Sequence, residues 1–120
     1  MYSAQVAEHI ANPRNVGEIE RPSGVADVTN EVCQDRIKLS IQIESERIVN
    51  AKVKASGCPP TIAAASALTE LIVGLTVTGA SKLSREDVVR ALGSLPAAKM
   101  HCAALAIEAL RMAIDSSRTQ

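Results

Sequence analysis

The sequence predicts an α+β fold, in which a small antiparallel three-stranded sheet carries helices packed on one of its faces. Three observations lead there. In residues 36–44 the apolar Ile37, Leu39, Ile41 and Ile43 alternate with Arg36, Lys38, Ser40, Gln42 and Glu44. This period of two marks a strand with one buried and one wet face. Val49, Ala51, Val53 and Ala55 repeat the pattern, with Asn50, Lys52 and Lys54 opposite. After Cys58 the period changes, and most of the helices follow there.

The elements follow in order. Residues 2–11 read as a short helix, with Val6 and Ile10 on one face, and Asn12-Pro13 ends it. Residues 14–24 hold Gly17, Pro22 and Gly24 and read as a loop. Ala26, Val28, Asn30 and Val32 form a weaker strand candidate. The polar link Ser45-Glu46-Arg47 joins the two clear strands into an antiparallel hairpin. Pro59-Pro60 suits a first helical turn, and residues 61–73 are apolar and Ala-rich, as in a buried helix. Gly74 and Gly79 bracket its end. Ser84 with Asp87 has the form of a capping box and opens a short helix that stops at Gly93. Leu95-Pro96 breaks the chain. Ala103, Ile107, Leu110 and Ile114 make one stripe at helical spacing, which predicts a last helix over residues 100–116.

A length of 120 residues fits a single domain spanning 1–120, with a core that needs no disulfides. Thirteen Lys and Arg balance thirteen Asp and Glu, so no basic excess points to nucleic acid. One Tyr, no Phe and no Trp leave no aromatic platform for stacked bases. The core must therefore be built from Ile, Leu, Val and Ala. Residues 1–11 lack the basic start and long apolar stretch of a secretory signal. No run of about 18 apolar residues is present to span a membrane. Three cysteines cannot all pair within one chain. The expectation is a cytoplasmic, reducing location without membrane contact, holding free thiols or metal thiolates.

Each thiol falls at a junction between elements. Cys33 lies in a turn before the strong strand, Cys58 where the hairpin meets the buried helix, and Cys102 at the start of the last helix beside His101. Two of them sit near a helix N-terminus, whose partial charge favours the thiolate. Asp35 points the same way as Cys33 if that segment is extended. Spacing alone leaves packing open as the role of these cysteines, because there is no CxxC pair and free Cys is often merely buried. Taken singly, His101 reads as a partly exposed helix-start residue and Asp35 as a turn residue. Lys52, Lys54, Arg14, Arg36 and His9 read as surface residues, and Met100 and Met112 as packing.

Several segments resemble a known family. Tyr2-Ser3, Val6, His9 and Asn12-Pro13-Arg14-Asn15-Val16-Gly17 resemble the N-terminus of the NifU/IscU-type iron–sulfur cluster assembly scaffolds. Cys33-Gln34-Asp35 resembles that family's Cys-Gly-Asp. Gly57-Cys58 followed by an Ala/Ser-rich helix resembles its second cysteine segment. Residues 95–102, Leu-Pro-Ala-Ala-Lys-Met-His-Cys, resemble its Leu-Pro-Pro-Val-Lys-x-His-Cys. The match runs through nearly the whole chain in order.

The resemblance implies a non-catalytic α+β scaffold. It would assemble a transient [2Fe–2S] cluster from iron and the sulfur of a cysteine desulfurase, then pass it to recipient apoproteins. Cys33, Asp35, Cys58, His101 and Cys102 are the implied cofactor and metal ligands, and Cys102 is the implied persulfide acceptor. A two-iron cluster takes four protein ligands, preferably thiolates, so three thiols leave one position for Asp35 or His101. The same donors suit tetrahedral Zn²⁺, and the isolated protein is a candidate zinc binder. A homodimer sharing one cluster is compatible with this donor count. Two alternatives are a divergent zinc-binding relative that regulates or accepts persulfide sulfur without building a cluster, and a sulfur transferase acting through Cys102.

Three departures from the family pattern stand out. Gln34 replaces a Gly, the residue used where φ is positive or a ligand comes close. Pro59-Pro60 replaces small flexible residues and removes two N–H donors. Ala97-Ala98 replaces Pro-Val in the segment that Hsp70-type chaperones recognise in some members, which argues against such docking.

Overall fold

The computed structural model describes residues 2–31 and 34–118. The sheet has the order β1-β2-β3 and is antiparallel throughout, with β1 at Gly24–Asn30, β2 at Asp35–Glu44 and β3 at Arg47–Ser56. Leu39 stands opposite Ala26 on one side and Val53 on the other, and Ile41 opposite Gly24 and Ala51. The inward-pointing Ala26, Val28, Ile37, Leu39, Ile41, Ala51 and Val53 are all buried. The weak strand is therefore real. It begins at Gly24 and ends at Asn30, and Val32 lies outside the described residues.

Helices cover that apolar face. α1 is Ala4–Ala11, α2 Pro59–Ile72, α3 Val77–Ser81, α4 Arg85–Ala91 and α5 Met100–Arg118, the last preceded by a 3₁₀ turn at Ala97–Lys99. α5 lies against β1 and β2, α2 against β3, and α1 and α4 flank α2. The stripe of Ala103, Ile107, Leu110 and Ile114 is buried as expected. Small residues set the layer spacing. A Cβ on Gly24 would stand 2.1 Å from the Ala113 carbonyl oxygen, so the start of β1 is pressed against the backbone of α5. Ala63, Ala64, Ala65 and Ala67 do the same service on α2, where all four are buried. A core without rings is thus filled by close backbone approach rather than by bulk.

The two-residue turn Ser45-Glu46 closes the hairpin, since Glu44 already pairs with Arg47. Both turn residues have positive φ, 52° and 64°, as a type I′ turn requires. Arg47 belongs to the strand rather than the link. The expected stripe on β3 is corrected at one position: Val49 is 41% exposed, and Ile48 is buried instead. The register explains this. Gln42 faces Asn50 while Ile43 faces Ile48, so Val49 is an extra, bulged residue and the alternation slips by one.

Two other expectations are corrected. Gly79 does not bracket the end of α2 but lies inside α3, because Thr76 caps a five-residue helix by accepting the Gly79 N–H at 3.0 Å. Part of the 14–24 loop behaves as a strand edge. Val53 N–H donates to the Asn15 carbonyl and Gly17 N–H to the Val53 carbonyl, which bridges Val16 to β3 in parallel. The capping box at α4 is present, with the Asp87 carboxylate accepting from the Ser84 N–H at 2.8 Å. Met112 is 45% exposed and so is not a packing residue. No helix among the described residues is long and apolar enough to cross a membrane.

His9 is not on the surface. It is buried, its Nδ1 lies 2.7 Å from Ser66 Oγ on α2, and its Nε2 lies 3.5 Å from Glu70 Oε1. The same Ser66 hydroxyl accepts the Arg14 N–H at 2.8 Å. One helix turn later the Thr69 hydroxyl accepts from Asn15 at 3.0 Å. An eight-residue helix has little stability of its own, and these contacts fasten it to α2.

Burial lowers the pKa of His9 below its ordinary value, against the opposing pull of Glu70. The neutral ring is therefore the form that the fold prefers. The unfolded chain binds the proton more readily, so His9 contributes stability above its unfolded pKa that is lost as pH falls through the folded one. The urea midpoint is expected to drop between about pH 7.5 and about pH 5, and His9→Gln to flatten that part of the slope. Parallel profiles for the two proteins would show that His9 carries none of it. The turn offers a second check. Replacing Ser45-Glu46 by Asn-Gly should raise stability by about 1 kcal/mol, read as a higher urea midpoint at unchanged m, because left-handed backbone is costly for Ser and Glu.

Candidate metal centre

The site grows from the ends of three elements. Asp35 is the first residue of β2, Cys58 is the N-cap of α2, and His101 and Cys102 open α5. Gly57 allows the first two to meet. Its φ is +114°, and a Cβ there would stand 2.1 Å from Asp35 Oδ1 and 2.8 Å from Asp35 Cα. Only a residue without a side chain fits between β3 and α2 at this point.

Asp35 is fully buried, and its bonds account for it. Oδ1 accepts the Cys58 N–H at 2.9 Å. Oδ2 accepts from the Cys58 thiol at 3.7 Å and lies 3.4 Å from His101 Nε2. Burial opposes ionisation of this carboxyl. The Cys58 N–H, the Thr61 hydroxyl, the Cys58 thiol and His101 together outweigh it and hold the pKa below the usual carboxylate value. The anion is the stable form in the folded protein.

The two sulfurs lie 3.6 Å apart, and His101 Nε2 lies 3.5 Å from Cys102 Sγ. One donor atom from each of Asp35, Cys58, His101 and Cys102 falls within 4.8 Å of every other. Four ligands around a tetrahedral ion at bond lengths of about 2.0–2.3 Å stand about 3.3–3.8 Å from one another. Four of the six separations, 3.4, 3.5, 3.6 and 3.7 Å, lie in that range, and none of the six exceeds 4.8 Å. Two thiols, a carboxylate and an imidazole are also the donor types that zinc and iron accept. The chemistry and spacing of this set fit a metal ion or the edge of a cluster.

Of the five residues singled out in the sequence, the fold thus brings four together. Cys33 lies outside the described residues. Its neighbour Gln34 has φ +60°, so the position where the family carries Gly does adopt left-handed backbone here. The amide of Gln34 turns away to donate to the Glu31 carbonyl at 3.2 Å.

Two features differ from the sequence reading. The helix-end charge was expected to favour thiolates. Instead, burial pushes the Cys102 thiol up to about 12, with Cys58 and Asp35 reinforcing it and the Thr61 hydroxyl opposing it. The N-terminus of α2 also has few donors to offer. Pro59 and Pro60 have no N–H, and the Thr61 N–H is spent on the Cys58 carbonyl at 3.0 Å. The residue that sequence reasoning missed is Thr61, which is fully buried with its Oγ1 3.3 Å from both sulfurs. The available signal was its place three residues after Cys58, on the same face of the first helical turn.

Comparison with known proteins places the chain in a family. The model of the NifU-like N-terminal domain matches residues 1–120, and the chain belongs to that family. It is 46% identical over 114 residues to the iron-sulfur cluster assembly scaffold protein IscU 1 of Archaeoglobus fulgidus, covering 95% of this chain and 74% of that protein. It is 38% identical to the nitrogen fixation protein NifU of Azotobacter chroococcum, covering 98% of this chain but only 38% of that longer protein. In fold it matches the crystal structure of a NifU-like protein (N-terminal) from Brucella abortus with a TM-score of 0.79 at 14% identity, covering 98% of this chain and 94% of that one. A scaffold protein structure from Fervidobacterium islandicum matches with a TM-score of 0.73 at 19% identity, covering 94% and 96%. These two likenesses bear out the α+β architecture.

The close approach at Gly57 makes a sharp prediction. Gly57→Ala should cost more than about 2 kcal/mol, since it adds left-handed strain to a clash with Asp35. Equilibrium urea unfolding measures it. A variant as stable as the parent would show that Gly57 does not hold Asp35 and Cys58 together.

Proposed function

We propose that this chain is a scaffold on which an iron–sulfur cluster is assembled as cargo and then handed to recipient proteins. The observation that carries the reading is the convergence of Asp35, Cys58, His101 and Cys102, from three separate elements, with one donor atom of each within 4.8 Å of every other. Membership of the NifU-like family supports it, as does the likeness to the iron-sulfur cluster assembly scaffold protein of Archaeoglobus.

The chemistry follows from the donors. Cys58 and Cys102 supply thiolates to iron once they lose their protons, and loading releases those protons. Cys33 would be the third thiolate, which leaves Asp35 or His101 to complete a [2Fe–2S] cluster. A carboxylate or imidazole in place of a fourth thiolate holds the cargo less permanently, which suits a carrier. Sulfur would come from a cysteine desulfurase: the Cys102 thiolate takes the outer sulfur of the enzyme's persulfide, leaving the enzyme's thiol. Cys102 has no exposed surface in this conformation, so its shell of Cys58, Thr61 and His101 must part for that step. Asp35, already ionised and bonded on both oxygens, keeps the donors gathered before the cargo arrives.

A second reading has its own support, because the four converging donors match the number and types of ligand that a zinc site takes, without Cys33. One reconstitution decides between the two. The metal-free protein, incubated anaerobically with ferrous iron, cysteine and a cysteine desulfurase, should develop the visible absorption and Mössbauer spectrum of a two-iron cluster. Cys58→Ser and Cys102→Ser should each abolish it. Tight zinc that iron cannot displace, with no cluster formed, would sink the scaffold reading in favour of the zinc-holding one. Persulfide on Cys102 without a cluster, seen by mass spectrometry, would favour a sulfur transferase.

A further inference from the structure

We propose that Thr61 is a positioning residue of the donor cluster, whose buried hydroxyl holds the Cys102 sulfur by a hydrogen bond that persists when metal is bound. This rests on the reading of the donor cluster as a metal site, and it assigns to that site a side chain that is not itself a ligand.

The argument starts from where the hydroxyl goes. Thr69 on the same helix bonds the Ser66 carbonyl three residues back, at 2.7 Å, which is the usual local habit of a helical Thr. Thr61 does otherwise. Its hydroxyl donates to Cys102 Sγ, on α5, at 3.3 Å, and Cys58 Sγ stands at the same 3.3 Å on its other side. The residue has no exposed surface, so water does not compete for it. A buried hydroxyl without a partner is costly, and here the sulfurs of the site, with Asp35 beside them, are its partners.

The local chain makes the placement stiff. Pro59 and Pro60 fix two successive φ angles between Cys58 and Thr61. Thr61 itself is β-branched, with few side-chain rotamers open to it in a helix. The hydroxyl is therefore set at a fixed distance from Cys58 and aimed across at α5.

A hydroxyl has a single O–H to give and two lone pairs to receive. In this geometry the O–H is given to Cys102 Sγ, while the Cys58 thiol, which also has Asp35 within reach, meets the same oxygen with either atom as the donor. The bond that fixes a sulfur in place is thus the one across to α5. Such partners fix the orientation of a ligand and tune its donor strength.

The test uses cobalt and zinc as probes on the full chain. Thr61→Val keeps the branched shape and removes the hydroxyl. It should bind Zn²⁺ about 10-fold more weakly in competition with a chromophoric chelator. Its sulfur-to-cobalt charge-transfer band should move to lower energy, because an unbonded thiolate is easier to oxidise. Thr61→Ser should restore the parent's band and bring affinity back to within about threefold. Circular dichroism of the metal-free variants checks folding, and Thr61→Ala carries the same expectation where the Val variant does not fold. Unchanged affinity and band in Thr61→Val, or a Ser variant as impaired as the Val one, overturns the proposal. If the parent protein binds neither ion, the metal-site reading itself fails and this inference falls with it. A parent that binds and a Val variant that matches it would overturn the role of Thr61 alone.

Discussion

The hydrogen bond from the Cys58 N–H to the buried Asp35 carboxylate, 2.9 Å long, is the contact on which the rest of the site depends. A carboxylate removed from water is very unfavourable unless donors replace the water. Here the donors come from the start of α2 and the start of α5, so the charge can be buried only if both helix ends are in place. The arrangement works in both directions. The fold tolerates Asp35 because Cys58 and His101 reach it, and those side chains are gathered because Asp35 draws them. Gly57 makes the contact sterically possible, for no side chain fits beside Asp35 at that backbone position. A cluster of potential ligands is thus held together by a structural anion rather than left to assemble around its cargo.

Helix α2 serves the site at one end and the N-terminal segment at the other. Its buried hydroxyls are distributed accordingly. Thr61 faces the two sulfurs, while Ser66 and Thr69 receive His9, the Arg14 backbone and the Asn15 side chain. Ser66 sits between α1 and the loop that follows it, and so decides how that loop runs on to pair with β3 at Val53. The alanines between these polar positions let the helix lie close to the sheet. In a core without Phe or Trp, that closeness replaces the volume an aromatic ring would fill.

Much of this could be read from the chain, for identifiable reasons. β2 is legible because its apolar residues alternate without a break, and α5 because its stripe runs for several turns. α4 is announced by Ser84 and Asp87, whose pairing is local in sequence. What was hidden depends on contacts distant in sequence or on a single displaced residue. Val49 is exposed because a bulge shifts the register, and no local pattern foretells which strand takes the extra residue. α3 is too short to show a period. His9 is buried by a serine 57 positions away. At the site, the donor types were legible as cysteines at element junctions, and the family resemblance joined them to Asp35 and His101. Thr61 was not, because in sequence it is simply the first hydroxyl of an apolar helix.

The twin prolines carry the last step. A helix N-terminus usually stabilises an adjacent thiolate through free N–H groups and the helix dipole. In α2 the first two N–H groups are absent, and the third turns back to the Cys58 carbonyl. At the start of α5, burial governs Cys102 and keeps its proton on. At Cys102 burial outweighs any pull from the helix end, and a neighbouring anion, Asp35, reinforces it. On the scaffold reading proposed above, the positive charge that would stabilise the thiolate is that of the incoming metal. Ligand deprotonation and metal capture are then one coupled event, with affinity rising with pH as the released protons find acceptors. On the scaffold reading, a buried and protonated Cys102 is also a weak nucleophile, and it becomes reactive when its shell opens.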